Sequence, residues 1–72
     1  MTVKEKTRIV WWATEKLADY ACAGDRDAVD RIYKKARLFI RDRNARRRAL
    51  EDAYQEALEI LQDVEEGGGS VG

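Results

Sequence analysis

Apolar residues recur over the first 24 positions at the spacing of one helical face. At about 100° per residue, Val3, Val10, Ala13, Leu17, Tyr20 and Ala21 share a stripe that Ile9 widens, while Arg8, Glu15 and Asp19 lie opposite. Thr2 followed at the third position by Glu5 has the form of a capping box, in which the two side chains satisfy backbone donors left free by the first turn. Gly24 supplies the left-handed conformation that closes many helices. Asp25 or Asp27 then stands where a carboxylate caps the next helix and meets its positive dipole end. The pattern predicts a first helix over about 3–22.

A second apolar series runs through Val29, Ile32, Tyr33, Ala36, Phe39 and Ile40, and a third through Leu50, Ala53, Tyr54, Ala57, Leu58, Leu61 and Val64. Between them lies a polar stretch from Arg41 to Arg48 whose only apolar member is Ala45. Two architectures follow. In the first, the chain turns near Asp42–Asn44 and forms an all-α three-helix bundle with helices over about 3–22, 26–41 and 45–65. In the second, residues 25–66 form one long helix, giving a helical hairpin that must dimerise to cover its apolar face.

The long helix has support in the absence of Gly and Pro and in the opposite-charge i,i+4 pairs Asp42–Arg46, Arg47–Glu51 and Arg48–Asp52. A heptad phase also passes unbroken through Val29, Ala36, Arg43, Leu50, Ala57 and Val64. Three arginines in a first turn would moreover oppose the helix dipole. Against it stand the rarity of so long a helix and the tolerance of Asn for turn conformations. The three-helix bundle is the expected fold, as a helical domain over 1–66 followed by a flexible Gly/Ser tail over 67–72.

Composition narrows the function classes. The chain has 72 residues, no His, no Pro and one Cys. A domain this small builds a modest core and no deep substrate cleft. The commonest general base is missing, and a lone Cys makes no internal disulfide, so a cytoplasmic, non-secreted protein is expected. No apolar run reaches the length of a membrane span, and the first residues lack a signal-peptide apolar stretch. Zero Pro and zero His with a Gly/Ser end also suit a designed bundle, although the unpaired Cys, the paired Trp and the Arg-rich turn break design rules.

The formal net charge of zero hides a polarity along the chain. Residues 34–48 hold eight cations (Lys34, Lys35, Arg37, Arg41, Arg43, Arg46, Arg47, Arg48) against Asp42 alone. Residues 49–67 hold seven anions (Glu51, Asp52, Glu56, Glu59, Asp63, Glu65, Glu66) and no cation. In an up-down-up bundle the basic turn meets Lys4, Lys6 and Arg8 at one pole, and the acidic end of the third helix meets Asp25, Asp27 and Asp30 at the other.

Each candidate for chemistry has a plain structural reading beside it. Asp52, Glu56, Glu59 and Asp63 share one helical face, but a Ca²⁺ or Mg²⁺ site needs more converging oxygens, so a solvated face is expected. Cys22, near a helix C-terminus with no base beside it, reads as a small, partly buried filler rather than a nucleophile. On the helical wheel Trp11 sits at the edge of the apolar arc and Trp12 falls among Arg8, Lys16 and Asp19. Trp12 is thus either packed over cationic stems or an interface anchor. Arginine suits phosphate or carboxylate recognition, yet the pI of about 6.3 and the lack of aromatics among the arginines make a poor nucleic-acid signature. The expectation is a non-enzymatic protein-interaction or self-assembly module, with Trp12, Arg43, Arg46, Arg47 and Arg48 as partner-binding residues. The alternative is a small nucleic-acid-binding regulator using 41–48. No cofactor, metal, membrane or small-molecule substrate is expected.

Overall fold

The computed structural model describes residues 2–70 and shows a three-helix bundle: α1 Val3–Cys22, α2 Arg26–Phe39 and α3 Ala45–Ser70. The helices run up, down and up in a rod of 49 × 17 × 14 Å. Among the described residues no helix is long and apolar enough to cross a membrane.

Helix α1 starts at Thr2, whose hydroxyl oxygen accepts from the Glu5 N–H at 3.2 Å. The return half of the capping box is not made: the Thr2 hydroxyl donates to the Glu5 carboxylate instead. The helix closes at Gly24, where φ is +75°. The Gly24 N–H reaches the Ala21 carbonyl at 3.0 Å and the Asp25 N–H reaches that of Tyr20 at 2.9 Å, the paired bonds of a Schellman motif. Asp25 then opens α2, its side chain accepting from the Ala28 N–H at 3.2 Å. One residue thus ends one helix and begins the next, which keeps α1 and α2 antiparallel and close.

The alternative with one long second helix is corrected here, because α2 stops at Phe39 rather than continuing. Its last cap, Ile40, leaves helical geometry at φ −108° and ψ 82° and is only 2 % exposed. Turning Ile40 inward adds a large apolar side chain to the core, where continued helix would have carried Arg43 toward it. α2 is also shorter than the 26–41 expected. At the other side of the turn, Asn44 Oδ1 accepts from the backbone N–H groups of Arg46 and Arg47 at 3.0 and 3.3 Å. That double cap starts α3 despite the unfavourable arginines in its first turn. α3 ends later than expected, running through Gly67–Gly69 to Ser70, so the Gly/Ser tail expected over 67–72 is helical as far as Ser70. Residues 71–72 lie outside the described residues.

The core consists of Val10, Ala13, Leu17 and Ala21 from α1, Val29, Ala36 and Ile40 from α2 and its cap, and Leu50, Ala57 and Leu61 from α3. Four of these ten are alanines, which lets the helix axes approach closely but limits the apolar area the core removes from water. α1 is the central helix, with its most extensive contact to α3, then to α2. No polar side chain is buried among the described residues.

Candidate functional site

The direct contact between α2 and α3 is organised by a polar latch. The rings of Tyr33 (α2) and Tyr54 (α3) stack with centroids 3.9 Å apart and planes 12° from parallel. Each hydroxyl then reaches across to the other helix. Tyr33 donates to the Glu51 carboxylate, 2.7 Å from both oxygens, and Tyr54 donates to Asp30 Oδ1 at 2.9 Å. Arg47 extends the chain: its Nε pairs with Glu51 at 3.1 Å, and its Nη1 donates to the Arg41 carbonyl at 3.4 Å. The Tyr33 ring carries the Arg37 guanidinium 5.7 Å from its centroid.

These contacts set the titration of the groups involved. The hydrogen bond from Tyr33, and after it Arg47, holds the Glu51 carboxyl below its ordinary range against an opposing effect of burial. Burial, then the neighbouring carboxylate, pushes both tyrosine hydroxyls up: Glu51 does so for Tyr33 and Asp30 for Tyr54. Arg47 thus links Glu51 of α3 to the Arg41 carbonyl of the turn.

The two poles form as the charge pattern implied. Lys6 Nζ lies 3.2 Å from Asp42 Oδ2, which ties the start of α1 to the basic turn. Arg26 Nη2 lies 3.1 Å from Glu65 Oε1, which ties the start of α2 to the acidic end of α3. Of the cations between 34 and 48, Arg47 is the one with an ion pair among the described residues. Arg41, Arg43 and Arg48 are exposed, while Arg46 is half-buried. Arg43, Asn44, Arg47 and Arg48 rim an open depression with Glu51 and Asp52. Tyr33, Lys34, Arg37, Leu38 and Arg41 line a second beside it. Of the i,i+4 pairs Asp42–Arg46, Arg47–Glu51 and Arg48–Asp52, Arg47–Glu51 alone is an ion pair among the described residues, and Asp42 turns instead to Lys6. Asp52, Glu56, Glu59 and Asp63 are all exposed.

The tryptophans are placed the other way round from the wheel reading, and this is a correction. Trp12 is half-buried against the core, with Lys35 Nζ 5.7 Å from its ring centroid. Trp11 is the exposed indole, at 70 %. α2 lies against the Trp12 side of α1 and α3 against the Val10 side, so the helix is covered over more of its circumference than one stripe, and Trp11 lies on the uncovered part beside the α3 edge. Cys22, expected to be partly buried, is exposed on that same outward face. The pattern of apolar positions could not show where α2 would lie, and that decides which indole is covered. Asn44 carried a usable signal as an N-cap residue type just before a helix start. The Tyr33–Tyr54 stack had none, because it depends on the register of two helices. Comparison with protein-family models, with curated proteins and with solved structures returns no match.

Proposed function

We propose that this chain is a non-enzymatic helical interaction module that associates with itself or with another protein through the outward face of α1. The observation that supports the reading is Trp11, a large apolar side chain 70 % exposed on a regular helix, pointing away from a core that has already taken Trp12. An isolated exposed Leu is ordinary, but indoles are enriched at the centres of binding surfaces. Thr7 and the stems of Lys4 and Arg8 line an apolar hollow with Trp11, and Val10, Thr14 and Ala49 continue it toward α3. The hollows on this molecule are open depressions suited to contact rather than to enclosing a small substrate.

Fluorescence tests the reading. In a Trp12→Phe background, Trp11 emission is expected to shift to shorter wavelength as protein concentration rises from about 5 to about 500 μM, because association takes the indole out of water. A water-like emission spectrum at every concentration, together with a single-chain mass in light scattering, sinks the self-association arm.

A second reading is supported by the uncompensated cations at the basic pole. Lys34, Arg41, Arg43 and Arg48 are exposed and without an ion pair among the described residues, and the N-terminus of α3 lies among them. A phosphate backbone would be neutralised there and would release counterions. Fluorescence anisotropy with labelled duplex and single-stranded DNA and RNA at about 50 mM salt reads this out, with steep loss of affinity by about 200 mM as the expected mark. No binding at the lower salt removes the nucleic-acid reading.

A further inference from the structure

Lys4, Arg8, Trp11, Glu15, Ala18 and Cys22 recur at alternating steps of four and three along α1, and all are exposed. They form one straight stripe on the face that neither α2 nor α3 covers. Asp19 flanks its far end and is exposed as well. The stripe is basic at its start, aromatic at its middle and acidic at its end.

This order is unfavourable for the helix by itself. Cations near an N-terminus and anions near a C-terminus both oppose the macrodipole. Lys4–Arg8 and Glu15–Asp19 are also like-charge pairs at i,i+4, the spacing at which opposite charges would help. None of these four side chains has an ion-pair partner among the described residues. Elsewhere the molecule does use its surface charges across elements, at Lys6–Asp42 and Arg26–Glu65.

We infer that this stripe is an isologous interface, and that its partner is a second copy of α1 laid antiparallel across a two-fold axis between Trp11 and Trp12. An antiparallel pair centred there sets each position against the one whose number completes 23. Arg8 then faces Glu15 of the other copy, and Lys4 faces Asp19. Trp11 meets Trp11 beside the axis. Because the two-fold axis stands perpendicular to the plane of the two helices, side chains displaced to one side of the stripe stay on that side in both copies. Arg8, Glu15 and Asp19 are all displaced the same way from Trp11 at about 100° per residue. The pairing therefore holds in three dimensions as well as along the axis. Each chain contributes both signs, so the surface is complementary only to itself turned around. Antiparallel stacking also sets each helix N-terminus beside the other's C-terminus, which relieves the opposed dipoles.

The area is modest. A 20-residue helix is about 30 Å long, and one helix face on each side buries roughly 1,000 Å² in total, the low end for a specific interface. Association in the range of about 10–100 μM follows, with Trp11 as its centre.

The inference rests on the self-association reading above, and sedimentation equilibrium over about 5–500 μM at about 50 mM salt tests the two separately. The wild-type chain is expected to move from single to double mass across that range. Lys4→Glu with Arg8→Glu makes the stripe wholly acidic, and Glu15→Lys with Asp19→Lys makes it wholly basic. Each double variant is expected to keep single mass throughout, and an equimolar mixture of the two to recover the wild-type association. Trp11→Ala is expected to weaken dimerisation at least tenfold. Loss of folding does not mimic these results, because both charge variants align α1 with its own dipole and are expected to melt no lower than the wild type by circular dichroism. A wild-type dimer that survives all three changes overturns the α1 seam while leaving self-association standing. A single mass at every concentration overturns both.

Discussion

Tyr33, Tyr54, Glu51 and Asp30 make the polar contacts between α2 and α3, and the strength of those contacts depends on ionisation as well as packing. Tyr33 and Tyr54 give hydrogen bonds to charged acceptors, the stronger class of such bonds. Replacing Tyr33 by Phe keeps the stack with Tyr54 and leaves Glu51 with Arg47 alone. The expected loss is about 1–2 kcal/mol in urea unfolding at neutral pH, at the low end for charged partners because the site is half-buried rather than enclosed. The pH dependence follows from the directions of the shifts. Glu51 titrates lower in the folded chain than in the unfolded one, so its contribution is present above the unfolded value of about 4.3 and is lost as pH falls through the folded value. Tyr33 and Tyr54 titrate higher when folded, so theirs is present below about 10 and is lost as pH rises through the folded values. Unfolding measured at neutral, acidic and alkaline pH should show Tyr33→Phe with a shallower fall at both extremes than the wild type.

Among the elements, the ends of the helices decide the topology. Gly24 has φ +75°, and a Cβ there would meet nothing closer than a Val64 methyl at 3.6 Å. The cost of Gly24→Ala is therefore conformational, about 1–2 kcal/mol and measurable as a lower thermal midpoint. Asn44 caps a first turn that holds Arg46, Arg47 and Arg48. Asn44→Asp keeps the cap geometry and adds a negative charge where the dipole and the three arginines both favour one, so a gain of about 0.5–1 kcal/mol is expected. Asn44→Ala should cost about 1 kcal/mol in the same assay. These end signals also explain how much of the fold could be read from the chain. α1 was legible because Thr2 and Gly24 mark it on both sides. The end of α2 was not, since Phe39 gives no local stop and Ile40 leaves the helix for a place in a core built by other elements. The polarity of the bundle was legible from charge, whereas the exposed member of the Trp11–Trp12 pair depended on where α2 docks.

For the whole molecule, charge is concentrated at the ends of a thin rod. The basic pole gathers cations that mostly repel one another, and among the described residues each pole is crossed by a single ion pair between elements, with exposed or half-exposed partners, worth about 0–1 kcal/mol. Screening should therefore relieve more repulsion than it removes attraction. The thermal midpoint of the dilute chain is expected to rise by a few degrees between about 50 and about 500 mM salt. A falling midpoint would mean that the cross-element pairs dominate. The α1 seam responds in the opposite sense, because its attractions lie between molecules and weaken under the same screening.

The turn over 40–44 contains no Gly and no Pro, and a heptad phase passes through it from Val29 to Val64. Straightening it would carry α3 onto the α1 of a neighbouring molecule, an exchange of identical elements. Burial of Ile40 and the Asn44 cap hold the folded-back form instead. Refolding Asn44→Ala at high protein concentration should trap a fraction of exchanged dimer that separates only as fast as the chain unfolds, over minutes to hours by size-exclusion chromatography, rather than on simple dilution. One buried isoleucine and four polar residues at one end of the rod therefore keep each molecule topologically complete in itself.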